Sequence, residues 1–206
     1  NKEQNNIKVE SGKSEFQLLL MNEEDYPKFP EFNGDTSITI ADDSIKELIK
    51  KTIFACSKDE ARPLFTGILV EVADEKITFV GTNTHRLAIK SLPYGGSEPM
   101  SIIIPSKVLE EINRNLVSEV PQEVKISLLK NQIMVVIDNV ILVSRLIEGK
   151  FPDYKRVIPP KFAITAKVNV KALAGAVERV SLFSNEGDYS IIKAVSYTHL
   201  TLPTNS

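Results

Sequence analysis

The sequence has little cysteine and no long apolar run. Cys56 is the single cysteine among 206 residues, so an internal disulfide and a cysteine-rich zinc module are both excluded. No apolar stretch approaches the roughly 20 residues that a membrane-spanning helix needs. The polar segment Asn1–Glu10 also lacks the apolar stretch of a signal peptide. We therefore expect a cytoplasmic protein with no membrane contact.

Neither sign of charge predominates in this chain. Its 25 Lys and Arg residues stand against 27 Asp and Glu residues, for a formal net charge of -2. Proteins that hold nucleic acid by bulk electrostatics carry a strongly basic surface, so any contact with DNA must be local and weak. With 42% hydrophobic and 25% charged residues, the composition is that of an ordinary globular protein.

Residues suited to catalysis or cofactor binding are also sparse. His85 is the only histidine outside the C-terminal tail, and the chain has no phosphate-cradling glycine loop and no cluster of metal ligands. We therefore predict no metal and no cofactor. Cys56, His85 and Asp59 could form a nucleophilic set, but Cys56 continues an apolar helix stripe, where a structural cysteine is favoured.

Alternating and helical spacings reveal the same order of elements twice: a strand, a helix and three further strands. The side chains of Asp42–Ser44 are expected to cap the first helix. Because a helix covers one face of each antiparallel sheet, the other face is expected to be polar or to contact solvent, in an α+β fold. The predicted strands are Ser37–Ile40, Thr66–Val72, Lys76–Val80, Arg86–Leu92, Ser101–Ile104, Val124–Leu129, Gln132–Ile137 and Val140–Leu146. The predicted inward helix residues are Ile45, Leu48, Ile49, Ile53, Val108, Leu109, Ile112 and Leu116.

Segments rich in proline and aromatic residues flank this repeated region. Tyr26–Pro30 and the segment that begins with Phe151–Tyr154 are interpreted as linkers. Beyond the second linker, Phe162–Thr165 is a strand candidate, and Leu173, Ala176, Val177 and Val180 form a helical stripe. The last residues, Val195–Ser206, abandon the pattern and resemble the translation of a sequencing adapter, so we expect them to be non-native.

Four motifs carry a resemblance to a known family: Glu24–Pro27, Phe54–Gly67, Thr82–Leu87 (TNTHRL) and Leu146–Pro159 (LIEGKFPDYKRVIP). With these motifs the chain resembles the bacterial sliding clamps, the beta subunits of DNA polymerase III. The resemblance implies a DNA-clamp fold, with antiparallel sheets outside and helices on the inner, pore face. It places the end of clamp domain 1 at residues 1–32, domain 2 at 33–158 and the start of domain 3 at 159–194, before the tail at 195–206.

The function that the resemblance implies is a processivity factor with no catalytic activity. The family forms a head-to-tail homodimeric ring around double-stranded DNA. Its partners, the replicative polymerase alpha subunit, the clamp loader and other proteins with clamp-binding motifs, dock short peptides between domains 2 and 3. The matching groove residues are Phe65, Thr82, His85, Arg86, Leu87, Pro152, Arg156 and Val157. Arg62 and Lys107 match positions that face DNA, and Asn83-Thr84 stands where the family often has Asp-Gly.

Two other classes of function remain as alternatives. A free-standing DNA-binding module would need a basic surface, which the net charge of -2 disfavours. An α+β hydrolase or transferase that used the His85-Arg86 turn would need a second acid-base group within hydrogen-bond reach. Lys46, Lys50, Arg114, Lys171 and Arg179 are interpreted as parts of solvated helix faces.

Overall fold

The structure is a computed structural model that describes residues 6–20, 36–96, 99–117, 120–163 and 165–182. It divides after Tyr154 into two compact units. The predicted linker Tyr26–Pro30 and the tail Val195–Ser206 lie outside the described residues. None of the described helices is long and apolar enough to cross a membrane.

The first unit contains ten strands and two α-helices among its described residues. The strands are β1 (Asn6–Ser11), β2 (Ser14–Leu19), β3 (Ser37–Ala41), β4 (Gly67–Ala73), β5 (Lys76–Thr82), β6 (Leu87–Pro93), β7 (Met100–Pro105), β8 (Glu123–Leu129), β9 (Gln132–Ile137) and β10 (Val140–Arg145). The helices are α1 (Asp42–Thr52) and α2 (Ser106–Asn115). Every strand predicted between residues 37 and 146 is therefore confirmed, with ends that differ by no more than two residues. β1 and β2 form a separate antiparallel hairpin.

The two repeats exchange their first strands. Sheet I has the strand order β6-β5-β4-β7, and sheet II has the order β10-β9-β8-β3. In sheet I, β7 of the second repeat pairs with β4 of the first, from Gly67↔Pro105 to Val72↔Met100. In sheet II, β3 of the first repeat pairs with β8 of the second. All these pairings are antiparallel, so each sheet joins strands from both repeats.

Both helices pack on the same face of the two sheets, as predicted. Ile45 and Leu48 of α1, Leu109 and Ile112 of α2 are each 0% exposed and share one core with residues from both sheets. Ile49 and Leu116 are also buried, while Ile53 and Val108 are half-buried against this core. The helical spacing of the apolar residues thus identified the inward helix face.

The start of α1 differs from the prediction of a side-chain cap. Ala41 occupies the N-cap position and makes no side-chain hydrogen bond, while Asp42 is the first helical residue. Asp42 is 4% exposed; its Oδ1 accepts the Asp43 N–H at 2.8 Å, and Lys46 Nζ donates to its Oδ2 at 3.3 Å. Burial alone would raise the pKa of Asp42, but these donors hold it below its ordinary value. Asp42 thus stabilises the first turn from inside the helix.

The second unit contains the helix α3 (Val170–Ser181). Asn169 caps α3, because its Oδ1 accepts the Ala172 N–H at 3.0 Å. The predicted stripe lies on this helix, and Leu173, Val177 and Val180 are 49%, 42% and 51% exposed. The strand predicted at Phe162–Thr165 is wrong at Phe162, Ala163 and Thr165, the residues of it that the structure describes. Alternating apolar residues form a strand only where another strand accepts their backbone hydrogen bonds.

Candidate functional site

The outward face of sheet I, opposite the helices, is apolar at one end and polar in the middle. Strand pairing sets its residues in rows that run across the sheet. Nearest the candidate residues lie the pairs Pro105-Gly67 and Thr82-Leu87, followed by the rows Ile103-Leu69-Val80-Ile89 and Ser101-Glu71-Thr78-Ser91. The expectation that this face would be polar or open to solvent is therefore wrong for the apolar end of sheet I.

A second, smaller core covers these apolar rows. Leu69, Val80, Ile103 and Phe151 are buried together, with exposures between 0% and 8%. Leu64, Leu87, Ile147 and Tyr154 pack against them as half-buried residues. Phe151 comes from the segment that the sequence suggested as a linker, so this segment folds onto the sheet. An aromatic side chain that is buried in this way contributes roughly 3–5 kcal/mol, judged by the usual cost of replacing it with alanine.

Backbone and side-chain hydrogen bonds fix the same segment at both ends. The Ile147 N–H donates to the Ile103 carbonyl at 2.9 Å, which places the segment beside the edge strand β7. At the other end, Tyr154 Oη donates to Glu71 Oε2 at 2.7 Å. Burial first, and then the hydrogen bond to Glu71, raise the pKa of the Tyr154 hydroxyl above its ordinary value.

Two glycines permit the segment to lie this close to the rest of the unit. A Cβ atom on Gly67 would lie 2.7 Å from Ile147 Cδ1, closer than packed carbon atoms approach. Gly149 has a φ of +127°, a backbone conformation that residues with a side chain rarely adopt. A Cβ atom there would lie 2.8 Å from Leu64 Cδ2. A Cβ atom on Gly67 would also lie 2.8 Å from the Ile104 carbonyl oxygen, and a larger residue at position 149 would be strained, so both glycines favour this path of the segment.

The turn between β5 and β6 carries three of the candidate residues, Thr82, His85 and Arg86. Asn83 Oδ1 accepts the N–H groups of both His85 and Arg86, at 3.1 and 3.0 Å. Thr82 Oγ1 donates to the Arg86 carbonyl at 2.8 Å and accepts the Thr84 N–H at 3.1 Å. Thr84 has a φ of +78°, a conformation that favours glycine. These side-chain hydrogen bonds hold Thr84 in a conformation that a glycine would adopt more readily.

Four of the predicted groove residues lie in the second core or beside one of its residues. The rings of Phe65 and Phe151 form an edge-to-face pair, with centroids 6.4 Å apart. Leu87 packs against the same cluster and pairs with Thr82 across the strands. Pro152 follows Phe151 and is exposed. Phe65, Leu87, Thr82 and Pro152 thus border one partly open apolar surface, which we call the sheet I surface.

The other four predicted groove residues lie elsewhere. His85 and Arg86 are exposed on the β5–β6 turn. Arg156 and Val157 belong to the second unit, in the 3₁₀ helix Tyr154–Val157, where Val157 is 68% exposed. The assignment of all eight residues to one groove stays a prediction.

The comparison with known protein families identifies this fold. Residues 39–153 match the family model described as the central domain of the DNA polymerase III beta subunit. The chain belongs to the DNA polymerase III beta subunit family. The match covers the two repeats, both sheets and the segment that carries Phe151.

Several relatives of this beta subunit family are similar along most of the chain. The beta sliding clamp of Staphylococcus epidermidis is 34% identical over 186 residues, which are 90% of this chain and 49% of that protein. The solved DNA polymerase III beta chain of Streptococcus pneumoniae is 34% identical, with a TM-score of 0.76, over 88% of this chain and 48% of that chain. The DNA polymerase sliding clamp of Bacillus subtilis is 30% identical, with a TM-score of 0.79, over 91% and 50%. The chain thus spans about half the length of these beta subunit relatives.

Arg62 and Lys107, the two candidate DNA-facing residues, both lie on the surface in ion pairs. Arg62 Nε lies 3.4 Å from Asp59 Oδ2, and its side chain is 48% exposed. Lys107 Nζ lies 3.2 Å from Glu60 Oε1, and its side chain is 86% exposed. Exposed ion pairs of this kind contribute little to stability and break readily, so both side chains can reach a phosphate.

The geometry also weighs against Cys56 as a nucleophile. Cys56 is buried, with its Sγ 3.5 Å from the Gly67 carbonyl oxygen. Burial raises the pKa of its thiol to about 12, so the reactive thiolate is scarce at neutral pH. Asp59, the acid of the suggested set, accepts hydrogen bonds from the Ala61 N–H and from Arg62 Nε.

Sequence reasoning missed three residues that organise the sheet I surface: Phe151, Tyr154 and Glu71. Phe151 and Tyr154 were interpreted as linker residues, and Glu71 lies 83 positions before Tyr154. The sequence did contain a signal that this segment packs against the fold, because a linker with no packing role seldom carries two aromatic residues within four positions. The partner Glu71 could be found only from the folded chain.

Proposed function

We propose that this chain is part of a ring-shaped sliding clamp, a DNA polymerase processivity factor that tethers its partners and catalyses no reaction itself. The observation that carries the proposal is the family match over residues 39–153. Curated relatives that are 33–34% identical to this chain are named beta sliding clamps. The tether acts by topology, because a ring around double-stranded DNA stays bound without reading bases.

The proposed assembly follows from the family. In the full-length protein, two subunits form a homodimeric ring in the cytoplasm, with residues 1–32, 33–158 and 159–194 in its first, second and third domains. Its partners are double-stranded DNA of any sequence, the replicative polymerase alpha subunit, the clamp loader and other proteins with clamp-binding motifs. The net charge of -2 suits a protein that must slide, because tight phosphate binding would oppose movement.

The proposed partner groove includes the sheet I surface. Phe65, Leu87 and Pro152 offer an apolar floor, and Val157 is assigned to the same floor. A peptide Leu or Phe side chain that is fully buried there gains roughly 1.5–3 kcal/mol. Arg86 and Arg156 orient the peptide through its carbonyl or carboxylate groups, while Thr82 and His85 border the turn.

A binding measurement with three variants tests this groove. The 206-residue chain is titrated, up to millimolar concentration, into a labelled peptide that carries a clamp-binding motif, and fluorescence anisotropy is recorded. Leu87→Ala and Arg156→Ala are expected to weaken binding by about ten-fold each, since single anchors of this type are worth 1–2 kcal/mol. Ile141→Ala is the matched control, because Ile141 is an exposed apolar residue of sheet II.

The outcomes separate the proposal from its alternatives. If Leu87→Ala and Arg156→Ala both bind like the parent chain while remaining folded, the groove assignment is wrong. A hydrolase would instead show turnover that His85→Ala abolishes. A free-standing DNA-binding module would bind short linear DNA tightly, with a steep dependence on salt concentration.

A further inference from the structure

The segment that crosses sheet I makes a polar contact beyond its apolar core. Phe151 buries its ring against Leu69, Val80 and Ile103. The hydrophobic effect that favours this burial is non-directional. The hydrogen bond from Tyr154 Oη to Glu71 Oε2, at 2.7 Å, is directional and partly buried. It joins the end of the segment to the polar row of the sheet, while Pro152 lies between the two aromatic residues.

The geometry points to Tyr154 as a positioning residue of the proposed partner groove, which acts through Glu71 to set where Pro152 and Phe151 lie beside Leu87. This inference rests on the proposed function, because it concerns the groove assigned there. Tyr154 itself need not touch the peptide.

Burial alone does not set the path of this segment. The packed ring of Phe151 holds one point of the segment, whereas the short Tyr154–Glu71 hydrogen bond fixes the distance and angle of a second point. The 2.9 Å bond from the Ile147 N–H to the Ile103 carbonyl fixes the start of the segment. The Tyr154–Glu71 bond fixes its end, so the position of the exposed Pro152 is determined from both sides.

The row that holds Glu71 supplies a matched control. Thr78 is the direct partner of Glu71 on β5, and its Oγ1 lies 2.9 Å from Ser91 Oγ. Thr78→Ala therefore removes one side-chain hydrogen bond from the same row without touching the segment. Any loss of affinity that comes only from a weakened sheet should be the same for Thr78→Ala and Tyr154→Phe.

The test compares affinity and stability for five chains of 206 residues: the parent, Tyr154→Phe, Glu71→Ala, Glu71→Gln and Thr78→Ala. Affinity for the labelled clamp-binding peptide is measured by anisotropy, and stability is measured by urea unfolding. Tyr154→Phe and Glu71→Ala are expected to weaken binding by about three- to ten-fold, the value of one hydrogen bond. Glu71→Gln keeps an acceptor oxygen and should restore parental affinity, while Thr78→Ala should leave affinity unchanged.

A double variant completes the test. If the two groups act through one hydrogen bond, Tyr154→Phe combined with Glu71→Ala should bind no more weakly than either single variant. Parental affinity in Tyr154→Phe, or equal losses in Tyr154→Phe and Thr78→Ala, overturns the positioning role while leaving the groove intact. Absence of any binding that depends on Leu87 in the parent chain would overturn the proposed groove, and the positioning role with it.

Discussion

Replacing Thr84 by glycine should stabilise this protein, although the change removes a side chain. Thr84 lies in the β5–β6 turn with a φ of +78°. A residue with a Cβ atom in the left-handed region is strained by about 1–2 kcal/mol, and β-branching makes this worse. The Thr84 side chain is exposed, so its removal forfeits little buried area.

The expected gain in the free energy of unfolding is the strain relieved in the folded state minus the cost of the extra conformational entropy of the unfolded chain. Glycine costs roughly 0.5–1 kcal/mol more backbone entropy on folding than a residue with a side chain. The net stabilisation by Thr84→Gly is therefore about 0.5–1 kcal/mol, or a rise in melting temperature of about 1–4 °C for a unit of this size. Thr82 Oγ1 accepts the backbone N–H of residue 84, which the glycine retains.

The assay is equilibrium unfolding in urea, followed by circular dichroism, with two comparison variants. Thr39→Gly removes an exposed threonine from strand β3 and should destabilise the protein by about 1 kcal/mol. Asn83→Ala removes the acceptor of two turn N–H groups and should cost about 1–2 kcal/mol. If Thr84→Gly proves neutral or destabilising while Thr39→Gly behaves as expected, the strain argument for this turn is refuted.

Three further predictions concern other parts of the first unit. Cys56 should resist a thiol reagent at pH 8 in the native protein and react at once after unfolding, because burial raises the pKa of its thiol to about 12; rapid native labelling would contradict this. The pKa of Asp42 is lowered in the folded state, so its stabilisation is present above its ordinary value of 3.8 and is lost as pH falls through the lowered folded value. Asp42→Asn, which also weakens the contact with Lys46, should therefore flatten the stability profile in that acid range, as urea titrations at several pH values will show. Arg62→Glu and Lys107→Glu, each made in the full-length protein, should shorten residence on circular DNA equally for any sequence, and a sequence-dependent loss would indicate base readout instead.

The elements of the two repeats could be predicted because their signals are local. Alternating residues such as those of Gln132–Ile137 identify a strand, and Ile45, Leu48 and Ile49 identify a helix face, from neighbours within one or two turns. The turns at Asp74-Glu75 and Asp138-Asn139 were also predictable, because Asp and Asn tolerate a positive φ. Asp74 has a φ of 52° and Asp138 has a φ of 49°.

The features that could not be predicted depend on contacts between residues that are distant in the sequence. Composition suggested a linker at Phe151–Tyr154, since proline and aromatic residues mark the ends of elements. Only the fold shows that Leu69, Val80 and Ile103 form an apolar surface to receive Phe151. The side-chain bond between Glu71 and Tyr154 likewise has no local signature, so the organisation of the candidate groove was largely hidden from the sequence.

The exchange of first strands was also beyond sequence reasoning, and it makes the two repeats interdependent. Without the second repeat, sheet I would lack β7, and β4 would lose its six-residue pairing from Gly67 to Val72. Without the first repeat, sheet II would lose β3 in the same way. Each helix would also lose part of the shared core, in which α1 and α2 contact one another. Neither repeat can then satisfy its backbone groups or bury its apolar face alone.

Cutting the unit within the Gly95-Gly96 loop tests this interdependence directly. Residues 36–95 and 96–154, prepared separately, should each lack a cooperative thermal transition, because an exposed strand edge and half a core do not stabilise a fold. Mixing the two fragments at equal concentration should restore one cooperative transition whose midpoint rises with concentration, as mass action requires. Hydrogen exchange should then protect β7 and β3 only in the mixture. A cooperative transition in either fragment alone would mean that a repeat can close its own sheet, and that the exchange contributes little to the stability of the fold.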